Sequence, residues 1–371
     1  MKTAFQIIFT MSVFITSNPS AQPALRDVFQ RDFLIGAALN ASQFTPSEKE
    51  NSEVALIKKQ FNSITPENAL KWGEIHPEPN RYNFGPADNY VEFGVKNKMF
   101  IIGHNLIWHN QTPRWVFEDD KGHPVDRDTL IQRMREHILT VVGRYKGKIK
   151  GWDVVNEAVN DDGSLRKSNW LKIIGEDYLV KAYQFAHEAD PDAQLYYNEY
   201  SMENTPKGPG VIALIKRLQA AGIPLAAVGI QGHYKMNWPS TKDVGQTIDR
   251  FSQLGIKVMI TELDVDVLPA PSRSISANVS ETFQSSAELN PYTNGLPDSV
   301  QQALARRYAD LFTEFVKHRS QITRVTFWGV TDGPSWLNDW PVRGRTSYPL
   351  LFDRQGRPKP AFDSVIAVGQ R

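Results

Sequence analysis

What most constrains this chain is one pattern used eight times: a short apolar run followed at once by residues that can hydrogen-bond or move protons. The runs are "FLIGAALN" (33–40), "FNSITPEN" (61–68), "MFIIGHNLIW" (99–108), "IKGWDVVNE" (149–157), "AQLYYNEY" (193–200), "LAAVGIQGH" (225–233), "IKVMITELD" (256–264) and "ITRVTFWGV" (322–330). Their length and their β-branched and aromatic content read as buried strands. Helical patterns separate them. In "DTLIQRMREHILTVVGRYKG", Leu130, Ile131, Met134, Ile138, Val141 and Val142 share one 3.6-residue face. "PGVIALIKRLQAAG" stops at Gly222, and "DSVQQALARRYADLFTEFVKH" is again amphipathic.

Strand–helix alternation implies parallel strands joined by right-handed crossovers. Eight such units without a linker predict an α/β fold, a (β/α)8 TIM barrel forming a single catalytic domain. A doubly wound open sheet is the alternative. It usually carries a Gly-rich phosphate turn after its first strand, and none is present. One stretch breaks the rhythm: a Ser-, Pro- and Asn-rich insert at about 267–299, after the seventh strand. A connection that long is usually functional or mobile. A lid or substrate-facing wall and an insertion without a role both fit it.

Composition removes several classes of function. A net charge of +1 with no basic stripe gives no footprint for nucleic acid. There is no cysteine, so disulfides, thiolate metal sites and cysteine nucleophiles are excluded. Residues 1–21 read as a secretory signal peptide: Lys2, an apolar stretch from about Phe5 to Ile15, then small residues. That stretch is too short to span a bilayer, and no later segment is apolar enough. The expectation is a secreted or periplasmic monomer occupying 22–371, without a membrane partner.

The strand ends carry the chemistry. They offer Asn40; Glu67 and Asn68; His104 and Trp108; Asn156 and Glu157; Asn198; Gln231 and His233; Glu262 and Asp264; and Trp328. In a barrel these ends converge on one face. The reactive candidates are the carboxylates Glu157 and Glu262, and a pair of carboxylates across a sugar is what glycoside hydrolysis needs. Amides suit a polyhydroxylated ligand, and Trp faces suit the C–H patches of sugar rings. His104 and His233 with Glu262 and Asp264 also admit a metal reading, but no tight spacing such as H-E-x-x-H supports one. No metal and no cofactor are expected.

The stretches "TPENALKW", "GHNLIWHNQTP", "WDVVNEAV", "GIQGHY", "ITELD" and "VTFWGVTDGPSW", in this order, resemble glycoside hydrolase family 10, the retaining endo-β-1,4-xylanases. The resemblance runs from about Phe33 to "SYPLLFDRQGRPKPAF" near the C-terminus. It implies Glu157 as general acid/base and Glu262 as nucleophile, acting on xylan and xylo-oligosaccharides by double displacement. Asn156 would grip the sugar 2-hydroxyl, and His233 would bridge Glu262 and Asp264 to hold Glu262 ionised. Gln231 pairs with His233 near the nucleophile. Glu67, Asn68 and Lys71 match the non-reducing-side binding residues, with His104, Trp108 and Gln111 beside them. Trp328 and Trp336 match aromatic walls. For Asn198 and Trp340 the match is positional only.

Overall fold

A computed structural model describes residues 22–47, 51–271 and 281–371. The expected signal peptide and residues 272–280 of the insert lie outside these. Among the described residues nine strands form: β1 (Leu34–Leu39), β2 (Ser63–Pro66), β3 (Phe100–Ile107), β4 (Gly151–Asn156), β5 (Gln194–Glu199), β6 (Leu225–Ile230), β7 (His233–Lys235), β8 (Lys257–Asp266) and β9 (Ile322–Phe327). All pairings are parallel, β1 lies beside β9 and β6 beside β8, so eight strands close into a ring. This is the expected (β/α)8 barrel, each of the eight apolar runs supplying one stave.

The ninth strand departs from expectation. The run 225–233 does not continue as one strand but breaks at Gln231 and Gly232. Gly232 has φ +83°, a left-handed conformation open to glycine at little cost. The chain then resumes as β7 against the outer half of β8, with His233 opposite Asp264 and Lys235 opposite Asp266. The bend therefore delivers the histidine to the carboxylate strand.

Alternation along the strands separates packing from chemistry. Ile102, Tyr196, Ala227 and Met259 form a small apolar cluster of their own inside the barrel. Two residues further along the same strands, on the same face, stand His104, Asn198, Gly229 and Thr261. The lower cluster is apolar, with the buried Arg324 guanidinium against its Tyr196 ring, and the layer above it brings the polar groups His104, Asn198 and Thr261. Room for the large side chains comes from glycine: a Cβ on Gly151 would lie 2.2 Å from the Tyr196 hydroxyl, and one on Gly103 would lie 2.1 Å from the Trp152 ring. Register shifts in β3–β4, β4–β5 and β8–β9 occur just before the polar ends and re-aim the side chains there.

The helix Arg127–Arg144 begins where the Thr129 amide donates to Asp126 Oδ1 at 2.8 Å, an N-cap that satisfies an otherwise orphaned donor. Its buried face is Leu130, Met134, His137, Ile138, Val141 and Val142, so the expected stripe also contains a histidine. His137 stacks on Trp72 with ring centroids 3.6 Å apart, and its Nδ1 lies 3.2 Å from His76 Nδ1. His76 stacks in turn on Tyr82 at 3.8 Å. The insert, in its described residues, packs on the loop that follows β9. Phe283 bridges Val342, the Thr346 amide donates to Asn290, and the Tyr348 hydroxyl donates to the Tyr292 carbonyl.

Candidate active site

A cleft of about 420 Å³ opens at the carboxyl ends of the strands. Glu157 and Glu262, the expected reactive pair, both line it and are 7% and 5% exposed. Eight further sequence-singled residues line it with them: Lys71, His104, Trp108, Asn156, Gln231, His233, Trp328 and Trp336. Asp264 and Trp340 are on the lining too. Glu67 and Asn68 are not. They are tied to the cleft through Lys71, whose Nζ donates to Asn68 Oδ1 at 3.0 Å. Gln111 Nε2 also donates to that oxygen, at 3.4 Å. Asn40 instead caps the short helix Ala41–Phe44, a structural role.

Glu157 follows directly on β4 and has φ +56°. For a residue with a Cβ that conformation costs roughly 1–2 kcal/mol, so its surroundings must hold it there. Its amide donates to the Asn198 carbonyl at 3.0 Å, and Arg166 Nε donates to the Glu157 carbonyl at 2.8 Å. The carboxylate accepts from Trp108 Nε1 at 2.8 Å on one oxygen. On the other it accepts from Gln231 Nε2 at 2.9 Å and Asn156 Nδ2 at 3.3 Å. These hydrogen-bond donors are neutral. His109 approaches no closer than 4.0 Å.

Glu262 stands in a different setting. Asn198 Nδ2 donates to one oxygen at 2.7 Å, and His233 Nε2 lies 3.1 Å from the other. His233 Nδ1 is 3.1 Å from Asp264 Oδ2, an ion-pair distance that is poorly aligned for a hydrogen bond. Asp264 accepts from Trp336 Nε1 at 2.7 Å, and Trp336 stacks on Trp340 with centroids 4.7 Å apart. Burial alone would lower the pKa of His233, but Asp264 and Glu262 push it up to about 10, so the ring carries a charge. Burial would raise Glu262. It is outweighed by the His233 hydrogen bond, the His104 and His233 charges and the Asn198 amide, and the carboxyl sits below its ordinary value.

Asn198 joins the two halves. Its Nδ2 donates to both Asn156 Oδ1, at 2.9 Å, and Glu262, while its Oδ1 accepts from the Thr261 hydroxyl at 2.6 Å. A hydrogen-bonded path thus runs Glu157–Asn156–Asn198–Glu262. His104 Nδ1 lies 2.9 Å from Asp153 in a fully buried pair. Lys71 lies 5.0 Å from the centre of the Trp108 ring. Burial draws its ammonium below the usual lysine value against the attraction of Glu262, Glu67, Glu157 and Glu74, while Glu67 is raised by burial against Lys71.

Sequence reasoning missed Asp153, Tyr200, Lys235, Trp238 and Asp266. An aspartate inside the apolar "WDVV" is a signal that could have revealed the first, because a buried carboxylate needs a partner. Trp238 is 39% exposed on the cleft wall, and no local pattern marks it. Among the described residues, no group of three or more His, Asp or Glu side chains is arranged to hold a metal ion.

A parallel barrel with two buried carboxylates at its strand ends, set among amides and indoles, defines a glycoside hydrolase. Residues 24–368 match the model of Glycosyl hydrolase family 10, and the chain belongs to that family. It is 46% identical to endo-1,4-beta-xylanase A of Xylanibacter ruminicola over 94% of each chain. It is 42% identical to a beta-1,4-xylanase of Dictyoglomus thermophilum, over 93% of this chain and 90% of that one. Among solved structures, a GH10 endoxylanase retrieved from a sugarcane soil metagenome superposes with a TM-score of 0.90 at 44% identity, over 93% of this chain and all of the other.

Proposed function

We propose that the protein hydrolyses internal β-1,4-xylosidic bonds of xylan with retention, Glu262 acting as nucleophile and Glu157 as acid/base. The observation that carries the assignment is the asymmetry between the two carboxylates. Glu262 faces a charged imidazole and is held ionised. Glu157 accepts only from neutral groups. The first suits a group that must attack as an anion, the second a group that must take and give a proton.

In the first step Glu262 attacks the anomeric carbon while Glu157 gives its proton to the leaving glycosidic oxygen. The transition state resembles an oxocarbenium ion, and the product is a glycosyl-enzyme. In the second step Glu157, now a carboxylate, takes a proton from water as the water displaces Glu262. Asn156, held by Asn198, serves to hydrogen-bond the sugar 2-hydroxyl. Lys71 with Glu67 and Asn68, His104 and Trp108 grip one side of the cleaved bond. Trp328 and Trp336 supply flat walls for the sugar. Neither step needs a cofactor. Residues 1–21 act as a cleaved leader to the exterior or periplasm, and 22–371 work as a monomer.

The test is the stereochemistry of the first product. Proton NMR of a fresh digest shows the β-anomer before mutarotation if two displacements occur, and initial α-anomer overturns the assignment. Azide separates the two roles. Glu157→Ala on an aryl xylobioside with a good leaving group gives β-azide from an accumulated intermediate, whereas Glu262→Ala gives only the α-azide of direct attack. Reducing-sugar release from xylan against cellulose tests the substrate.

A further inference from the structure

Behind Glu157 lies a second buried carboxylate that the mechanism above does not use. Glu199, the last residue of β5, is fully buried. Its Oε2 accepts from the Val159 amide at 3.2 Å and from the Tyr197 hydroxyl at 2.7 Å. The Tyr197 hydroxyl in turn accepts from the Ala158 amide at 3.0 Å. The two peptide N–H groups immediately after Glu157 are therefore both taken by this pair. On its other oxygen Glu199 meets the Tyr200 amide at 3.2 Å and the Lys207 ammonium at 3.4 Å. Four donors face this carboxyl, which suits a carboxylate and not an acid.

Lys207 is itself fully buried. It reaches Asp161 at 2.8 Å and lies over the Tyr200 ring, 3.2 Å from its centre. Asp161 and Tyr200 both line the cleft. An ion pair under the cleft wall is thus joined to the backbone that carries Glu157.

This backbone needs holding. A left-handed φ at a glutamate relaxes toward ordinary values unless the peptides on either side are fixed. The Asn198 carbonyl fixes the Glu157 amide from upstream. From downstream the fixing groups for Ala158 and Val159 are Tyr197 and Glu199. A helix or strand would have satisfied those amides with carbonyls, but here the chain has left β4 and side chains do it instead.

We infer that Glu199, with Tyr197, is a positioning residue for the acid/base: the pair locks the peptides following Glu157 so that its carboxyl points at the glycosidic oxygen. The inference rests on Glu157 being the proton donor. Lys207 compensates the buried charge, and that is why a lysine is buried beneath the cleft wall. Burial raises the Glu199 carboxyl to about 7, and the Lys207 charge and the hydrogen bonds from Tyr197 and Val159 oppose that rise.

The test exploits the chemistry of leaving groups. Proton donation matters greatly for a sugar leaving group and little for an activated phenol. Glu199→Gln and Tyr197→Phe are each compared with the parent enzyme on xylan, xylotetraose and a dinitrophenyl xylobioside. The expected result is a loss in kcat/KM, which reports the step that expels the leaving group, of roughly tenfold or more on the xylose polymers. The loss in kcat/KM on the activated substrate is under about threefold, so the leaving-group dependence steepens. Equal losses on all three substrates would mean general damage to the site and would overturn the inference. So would full activity in a variant that folds. Tyr197→Phe keeps the ring and its packing, so it carries the test should Glu199→Gln fail to fold. Glu157→Ala is measured alongside. If it lacks the same selective loss, the acid/base assignment fails. If it shows that loss and Tyr197→Phe does not, only the inference about Glu199 and Tyr197 fails.

Discussion

Two quite different regions of the molecule shelter histidine from water, and they treat it in opposite ways. His233, on the barrel rim, sits between Glu262 and Asp264 and is held charged, its pKa pushed up to about 10 against the effect of burial. His137, on the buried face of the helix Arg127–Arg144, lies flat against Trp72, and His76, at the end of the short helix Trp72–Ile75, lies flat against Tyr82. Burial lowers both, His137 well below the ordinary value, with its neighbour's charge adding to the effect. The residue type is the same, and the desolvation has the same sign. What differs is the pair of carboxylates, Glu262 and Asp264, that His233 lies between. Between them the imidazole is a fixed cation that serves chemistry, whereas the aromatic stack makes His76 and His137 flat packing units.

The comparison breaks most severely if His233 is removed. His233→Ala leaves burial of Glu262 largely unopposed from that side, so its pKa rises. Glu262 must be ionised to attack, and activity is lost as pH falls through its pKa. The acidic limb of kcat/KM against pH therefore moves to higher pH, by about one to three units for the loss of an adjacent opposite charge. At pH 5 the loss is then on the order of tenfold or more. An unmoved acidic limb would show that the histidine does not hold the nucleophile's charge.

A smaller effect is expected one step further out. Trp336→Phe keeps an aromatic ring on the cleft wall but removes the N–H that donates to Asp264. A hydrogen bond to a charged group is worth about 1.5–3 kcal/mol when its partner stays buried. The expected cost is about tenfold in kcat/KM, together with a smaller shift of the acidic limb. A fall in affinity alone, without that shift, would make Trp336 a sugar platform and nothing more.

The neutral pair gives a prediction in stability. Its folded-state pKa values lie below the unfolded value of about 6.5, so the unfolded chain binds more protons. The contribution to stability is complete above that pH and is lost as pH falls below it. The slope reaches about 1.4 kcal/mol per pH unit for each histidine kept neutral. Urea unfolding between pH 7 and 4.5 should steepen accordingly, and His137→Phe should flatten it while leaving the pH profile of activity where it was. A profile that moved with His137 would dissolve the distinction between the two regions.

His123 and Asp119, 3.5 Å apart with the histidine side chain 71% exposed, close the series. Here a carboxylate is adjacent but water is present. His123→Ala is expected to change neither thermal midpoint nor activity measurably, because exposed ion pairs contribute little.

This contrast also marks how much could be read from the sequence. The barrel was legible because eight continuous apolar runs admit few other arrangements. The rim was legible because polar groups closing such runs cannot be buried without purpose. His233 stands at the end of a run and declares itself. His137 stands inside an amphipathic helix, 61 residues from the partner that explains it, and nothing local distinguishes it from a solvated residue. Lys207 misleads in the same way. A lysine in the first turn of a helix reads as surface, and only the fold brings Glu199 beneath it. The turn at Gly232 escaped notice because one glycine at a strand end does not reveal that the chain resumes pairing. The insert remained open between a lid and an idle loop. Its described residues instead brace the loop that bears Trp336 and Trp340.

The single amide of Asn198 sets a limit on how this enzyme can be re-engineered. Its nitrogen serves Asn156 and Glu262 at once, its oxygen is held by Thr261, and a Cβ on Gly229 would come within 2.4 Å of that oxygen. No one of these positions can be changed profitably alone, since each substitution leaves a neighbour unpaired or overlapped. A library randomised along the inner ends of β4, β5, β6 and β8 would therefore return almost only dead clones. Diversity placed at Trp238, exposed on the outer cleft wall and free of this mesh, can alter which chains are accepted while the chemistry survives.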